Sequence, residues 1–312
     1  MKKTLVFVVV CLFLIPSMSF AEKKSSYRFV VVPKVVHPWF DKVVEGAKEA
    51  AKMLEEQTGA KVAIEYRAPQ KADVVEQNQI LERAIATHPD GITIDLLDAK
   101  GNKSVLEEAV KQHIPVVIFD SVPPEGMELT SVTEDIVEMA QMAGLRLIKL
   151  LDGKGEVAIM MGVPTAPNHA LRAKVYEELF PKYPDIKVVA KGIDNDDIET
   201  AQKQAAAIMQ AHPNLKGWVC CDAAGPIGTG QAIKEAGKVG KVLLVGLADL
   251  PQIIELIKEG VMESTATNKP MMDGYWSVLA MWQAGMGVNM PKWIDTGTVL
   301  VTKDMTQNYK GY

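Results

Sequence analysis

From Tyr27 onward, short runs of β-branched and other apolar residues alternate with longer amphipathic stretches. A fully apolar run reads as a strand buried on both faces, and apolar residues spaced three and four apart read as a helix lying on a sheet. The pattern predicts strands at Tyr27–Val32, Val62–Tyr66, Gly91–Ile94 and Val116–Phe119, separated by helices at Asp41–Gln57, Asp73–Thr87 and Ser104–His113. Gly59 stands where a helix end favours left-handed backbone, and Asp73 where an N-cap accepts backbone N–H groups. The alternation then repeats. Helices are predicted at Asp135–Leu151, His169–Phe180, Glu199–Ala211, Ile227–Ala236, Ile253–Glu259 and Met271–Met286, and strands at Glu156–Met161, Ile186–Ala190, Trp218–Cys221, Val242–Leu247, Met262–Thr267 and Thr298–Val301. Such alternation is the mark of right-handed βαβ units on parallel sheets. The stretches Ala86–Asp90 and Ala211–Asn214 echo each other, each ending a helix before proline and leading into a strand closed by aspartate.

The one long apolar run, Leu5 to Pro16, follows Lys2 and Lys3 and precedes Ser19-Phe20-Ala21. A charged start, an apolar stretch and a small-x-small site form an export signal, with cleavage expected after Ala21. The run is short for a membrane span of about 20 residues. Export removes Cys11 and leaves Cys220 and Cys221, whose adjacency gives no loop-closing disulfide. The scattered histidines and the lack of a Cys-x-x-Cys pair give no zinc cluster, so neither metal nor cofactor is expected.

The 312-residue length fits about two domains, and the composition, 48% hydrophobic and 23% charged, is that of a folded protein. The net charge is −5, and more negative once Lys2 and Lys3 leave, so the chain carries no basic footprint for nucleic acid.

Open parallel sheets take ligands beyond the carboxyl ends of their strands. The residues there include Lys34, His37, Trp39 and Phe40, then Asp120 and Ser121, Asn168 and His169 with Arg172, Asn195, Asp222 and Ala223, Asp249, and Asn268. Carboxylates and amides that accept from hydroxyls, beside aromatic faces that cover C–H surfaces, suit a polyhydroxyl ligand. Each residue also has a plainer role: Trp39 and Phe40 could staple a helix, Asp120 and Asp222 could shape turns, and Asn168 is a good N-cap. Enzyme signatures are lacking. Gly225-Pro-Ile-Gly-Thr-Gly230 is neither a dinucleotide fingerprint nor a phosphate loop, and there is no Gly-x-Ser-x-Gly elbow. Asp194-Asn-Asp-Asp197 lacks the glycine and glutamate of a calcium loop and reads as a polar loop with a helix cap.

Taken in order, these segments resemble the periplasmic sugar-binding proteins of ABC importers, in the ribose/simple-sugar group of the type I fold. Pro33–Phe40 followed by Val44–Ala50 is similar to that group's opening strand, aromatic loop and helix, and Ile118–Ser121, Val245–Leu247, Ile294–Thr298 and Val301–Lys303 are similar to later landmarks. The resemblance puts Trp39 and Phe40 at the sugar-stacking positions, Asp120 at a pocket aspartate and Asn268 at the hinge glutamine. Ser121, Ala170 and Ala248 replace an arginine, an arginine and an aspartate of the ribose pattern, with Asp249 beside Ala248, and Asp222 replaces an asparagine. Those departures point away from ribose itself. Pro33-Lys34, Asp120-Ser121 and Cys221-Asp222-Ala223 are also similar to segments of the autoinducer-2-binding branch.

The resemblance implies two doubly wound α/β lobes joined by three crossings, with an N-terminal lobe of 27–132 plus 269–294 and a C-terminal lobe of 133–268 plus 295–312. It implies a monomeric periplasmic receptor, not an enzyme, that closes on a monosaccharide or polyol and hands it to an inner-membrane ABC permease, with a chemoreceptor as a further partner. The alternatives are an autoinducer-2 receptor and an exported carbohydrate-acting enzyme.

Overall fold

A computed structural model describes residues 24–309 and Gly311. The expected export signal, its cleavage site after Ala21 and Cys11 lie outside the described residues. The first half runs β1 (Ser26–Val32), α1 (Pro38–Thr58), β2 (Lys61–Tyr66), α2 (Val74–Ile85), β3 (Gly91–Ile94), α3 (Ala99–Lys111), β4 (Val116–Phe119) and β5 (Thr130–Thr133). The second runs α4 (Ile136–Leu150), β6 (Gly155–Met161), α5 (Pro167–Leu179), β7 (Ile186–Ile193), α6 (Ile198–Ala211), β8 (Leu215–Cys220), α7 (Ala224–Glu235), β9 (Leu243–Leu247), α8 (Pro251–Lys258) and β10 (Ser264–Thr267). The chain ends with α9 (Pro270–Gly285), β11 (Trp293–Asp295) and β12 (Val299–Thr302). No described helix is long and apolar enough to cross a membrane.

The strands form two sheets, in the orders β11-β5-β4-β3-β1-β2 and β12-β10-β9-β8-β6-β7. Each is a doubly wound sheet whose order reverses beside its first strand, at β1/β3 and at β6/β8, which is where such sheets open a crevice. The backbone passes between the sheets three times, after β5, after β10 and after β11. The last strand departs from the parallel pattern: β12 runs antiparallel to β10, because the short 296–298 connection reaches its neighbour from the opposite end.

Local chemistry explains the elements. Phe29–Val32 is buried throughout, as a central strand of a covered parallel sheet must be. Asp73, Asp98, Asp135 and Asp197 each accept backbone N–H groups at the start of α2, α3, α4 and α6. Gly59 ends α1 at φ 73. Strands β5 and β11 are not apparent in the sequence. Thr-Ser-Val-Thr offers no apolar run, yet its polar side chains are buried because the fold brings acceptors to them, Thr130 Oγ1 donating to the remote Pro291 O at 2.8 Å. Helix α3 starts earlier than the apolar spacing predicts, because Asp98 caps it ahead of its apolar face.

Helices α1 and α9 touch backbone to backbone. A Cβ on Gly46 would lie 1.8 Å from Met271 O, and one on Gly274 would lie 1.8 Å from Val43 O. Only glycine permits that approach. It binds the helix after the first strand to the helix that follows the second crossing.

Candidate functional site

The loops after β1, β4 and β9, the 194–197 loop after β7 and the starts of α5 and α7 converge between the two sheets. Lys34, His37, Trp39, Phe40, Asp120, His169, Arg172, Asp222, Ala223 and Asn268 line one narrow cavity there, with a water-accessible volume of about 20 Å³. Asp196, Leu247 and Ala248 complete its wall. A larger groove between α7 and α8 gathers no strand ends and lies on one lobe's surface. Several residues around the cavity hold left-handed backbone despite carrying a side chain: Asp120 (φ 46), Asn195 (φ 56), Asp196 (φ 61) and Ala248 (φ 68). Such strain collects where a site fixes the direction of a side chain.

On the first lobe, Pro38 opens α1 and His37 caps it, its Nδ1 accepting from Trp39 N–H at 3.2 Å. Trp39 and Phe40 stand edge to face, 5.1 Å apart at 87°, and Phe40 packs in turn on Phe119 at 6.1 Å. Both rings belong to the buried core, and both border the cavity. Lys34 is 2% exposed, with Nζ 2.7 Å from Asp95 Oδ2. Burial alone would lower its pKa, but Asp95, Asp196 and Asp120 reverse that and raise it, so it stays charged.

Asp120 is the meeting point of the lobes. Its Oδ1 accepts from Arg172 Nη2 at 3.0 Å and Asn268 Nδ2 at 3.1 Å, and its Oδ2 accepts from Asn168 Nδ2 at 2.8 Å. Arg172 also donates to Glu134 Oε1 at 2.7 Å and to Cys221 O at 3.1 Å. Asn268 donates to Glu134 Oε2 at 3.1 Å. Burial pushes Asp120 up to about 6 against the pull of Arg172, so it is ionised at neutral pH. Glu134 and Asn268 belong to the first and second crossings, which wires the cavity into the hinge.

On the second lobe, His169 Nδ1 accepts from Val163 N–H at 2.9 Å, and its Nε2 lies 3.9 Å from Asp196 Oδ1. Burial, with Lys34 nearby, holds both His169 and His37 below the ordinary imidazole range. With a backbone N–H on each Nδ1, both rings are neutral and carry their proton on Nε2. Asp222 accepts from Ala224 N–H at 3.0 Å and Gly225 N–H at 3.1 Å, at the start of α7. Burial and the neighbouring Asp196 push it up to about 7. Among the described residues, His37 Nε2, Arg172 Nε and Asn268 Oδ1 are buried polar atoms without a hydrogen-bond partner, while Asp196 shares a side-chain hydrogen bond with Asp222.

Four expected residues sit elsewhere. Asn195 is exposed, and its successor Asp196 faces the cavity instead, because left-handed backbone at both positions turns the loop. Asp249 accepts from Tyr309 Oη at 2.7 Å beside Pro251 and Met271, in a separate depression. Ser121 is buried in a turn, its carbonyl accepting from Ser131 Oγ. Asn168 is not the cap of α5: Ala166 holds that place, and Asn168 lies in the first turn behind the cavity wall, bonded to Asp120. Asp194, expected only as part of a polar loop, is fully buried and accepts from Asp196 N–H at 3.0 Å.

The carboxylates of Asp120, Glu134 and Asp273 bring oxygens within 4.8 Å of one another, the arrangement nearest to a metal centre among the described residues. Arg172 already supplies positive charge to two of them. Burial, with Glu134 and Asp120 beside it, pushes Asp273 well above the usual carboxylate range, which disfavours the anionic form a metal ligand would need.

Known proteins share this architecture. A solved solute-binding protein of an ABC transporter from Burkholderia graminis, in complex with D-arabinose, is 30% identical with a TM-score of 0.85, the match covering 92% of this chain and 99% of that one. The D-allose-binding periplasmic protein of Escherichia coli is 28% identical over 249 residues, 77% of this chain and 78% of its own. The D-apiose import binding protein of Actinobacillus succinogenes is 23% identical over 245 residues, 78% of this chain and 76% of its own. Residues 28–287 match the periplasmic binding protein domain, and the chain belongs to that family.

Proposed function

We propose that this chain is the periplasmic receptor of an ABC importer, that it binds a monosaccharide or a related polyol between its lobes, and that it releases the ligand unchanged. The observation that carries this reading is the interlobe cavity, where an aromatic platform faces hydrogen-bonding groups contributed by both lobes and the hinge. Relatives named for D-allose and D-apiose, and a solved neighbour holding D-arabinose, support it. The imidazoles support binding over turnover. A general base needs a free lone pair, and on both His37 and His169 that lone pair is occupied by a backbone N–H. In this reading the chain acts as a monomer, exported with cleavage after Ala21, and its lobes comprise 27–132 plus 269–294 and 133–268 plus 295–312. Closure follows the general rule that a ligand shifts a two-state protein only through contacts it makes better in one state.

The test is a thermal-shift screen of aldopentoses, aldohexoses, pentitols and hexitols, followed by calorimetry and product analysis. One structural class should raise the melting temperature with saturable binding and be recovered intact. No stabilisation by any of them, or protein-dependent conversion of the ligand, overturns the reading.

A further inference from the structure

Glu134 stands alone between the end of β5 and the cap of α4, and its backbone is pinned on both sides. The carbonyl before it, Thr133 O, accepts from Trp293 Nε1 on β11 at 2.8 Å and from Thr296 N–H on the third crossing at 3.3 Å. Asp135, the residue after it, caps α4. The Glu134 side chain is fully buried and forms no part of the cavity wall. Its carboxylate nevertheless holds two residues that do. Oε1 accepts from Arg172 Nη2 at 2.7 Å, and Oε2 accepts from Asn268 Nδ2 at 3.1 Å and from Thr133 Oγ1 at 3.0 Å.

An asparagine amide has two orientations related by a half-turn, and its hydrogen-bond partners decide between them. The Nδ2 of Asn268 donates to two carboxylates, Asp120 Oδ1 and Glu134 Oε2, each at 3.1 Å. After a half-turn the amide would set its own oxygen against two carboxylate oxygens, with no proton between them. Arg172 is held in the same way. Its Nη2 lies between Asp120 and Glu134 and its Nη1 donates to Cys221 O, which leaves Nε uncommitted. We propose that Glu134 is a positioning residue of the site: without touching the ligand, it fixes which edges of Arg172 and Asn268 the cavity receives, and so ties ligand affinity to the first crossing of the hinge. The affinity part rests on the proposed sugar- or polyol-binding role. A carboxylate suits the task because both of its oxygens accept. A glutamine has one acceptor; with that oxygen on Arg172, its NH2 would meet the NH2 of Asn268, and Asn268 would have to turn.

The experiment compares Glu134→Gln and Glu134→Asp with the native chain by two readouts. The first needs no ligand. The side-chain amide of Asn268, identified by its loss in Asn268→Ala, is followed by nitrogen–proton NMR. Its signals should move in Glu134→Gln and stay closer to native in Glu134→Asp, which keeps two acceptor oxygens. The second is affinity for the sugar or polyol that gives the greatest thermal stabilisation, measured by calorimetry at a temperature where urea curves show each variant folded. Glu134→Gln should bind about tenfold more weakly, with part of the loss recovered in Glu134→Asp. In an Asn268→Ala background the same Glu134→Gln change should cost only about threefold, because one of the two residues it positions is gone. An unmoved Asn268 amide, native affinity in Glu134→Gln, or an equal loss with and without Asn268 overturns the proposal and leaves the sugar-binding role intact. Failure of both Glu134 variants to fold also overturns it, since Glu134 would then serve the fold. If no sugar or polyol binds the native chain, the role fails and the affinity part falls with it, while the amide signals still decide whether Glu134 orients Asn268.

Discussion

Arg172 on α5 and Asp120 at the end of β4 belong to different lobes, yet Nη2 of one lies 3.0 Å from Oδ1 of the other. The same nitrogen is 2.7 Å from Glu134 at the first crossing, so one buried guanidinium holds a strand end and a hinge segment together. The Asp120 carboxylate, expected from sequence to receive a ligand hydroxyl, is already engaged by Arg172, Asn268 and Asn168. These bonds join protein to protein across the cleft, and the same carboxylate borders the cavity.

Arg172→Met should therefore be strongly destabilising, because it strands two buried carboxylates. Urea unfolding should show a loss of about 3–5 kcal/mol, and adding Asp120→Asn to the same chain should restore part of it. A variant as stable as the native chain would mean that the network contributes nothing to the fold.

Asp222 gives the unliganded protein a characteristic pH dependence. Its folded pKa, about 7, lies above the ordinary 3.8, so between those values the native state holds a proton that the unfolded chain has released. Stability then falls as pH rises from about 4 to about 7, by at most about 1.4 kcal/mol per pH unit for this group. Asp120, raised to about 6, adds to the slope over its lower part. The groups that set Asp222 are Asp194 and Asp196 after β7 and the N–H groups of Ala224 and Gly225. Denaturation curves between pH 4 and 8 should show a shallower slope in Asp222→Asn, and an identical slope would remove Asp222 as its source.

The two rings of α1 should separate in mutagenesis. Phe40→Ala deletes a ring packed on Phe119 and should cost about 3–5 kcal/mol of stability. Trp39→Ala removes the outer ring and should lower affinity for the identified ligand by roughly 1–3 kcal/mol in calorimetry. The fold pays for Trp39 as well, since it is 5% exposed and lies in the core of the first lobe. Full ligand affinity in Trp39→Ala would leave that ring a purely structural role.

At the mouth, Thr165 Oγ1 donates to Leu97 O at 2.8 Å, where Leu97 meets Val163 and Ala166 of the other lobe. This contact forms only when the lobes are together. Thr165→Val should weaken ligand binding by about 1 kcal/mol, roughly fivefold, through faster dissociation measured by stopped flow. An unchanged dissociation rate would exclude the bond from closure.

Much of this was written plainly in the sequence, for local reasons. Runs such as Phe29–Val32 and caps such as Asp73 and Asp197 depend on neighbours in the chain, and the strand-end rule brought Lys34, His37, Trp39, Asp120 and Asp222 into view before any contact was known. What it could not show depends on distant partners or on backbone twist. Strand β5 exists because its threonines and serine find acceptors in folded neighbours. Asn195 looked outwardly as suitable as Asp196, and only the left-handed turn at both decides which points inward. Glu134 carried no signal at all, because its partners Arg172 and Asn268 are remote in sequence.

The glycine contact between α1 and α9 has a mechanical outcome. Because Gly46 and Gly274 leave no side chain between the two backbones, there is no soft layer to absorb displacement. Any tilt imposed on the start of α9 by the crossing at Asn268 must reach the first turn of α1 nearly undiminished, as through a rigid coupling. The cavity's chemistry can then be rewritten by exchanging side chains at its rim without redesigning the linkage that drives it. One chassis can serve many cargoes.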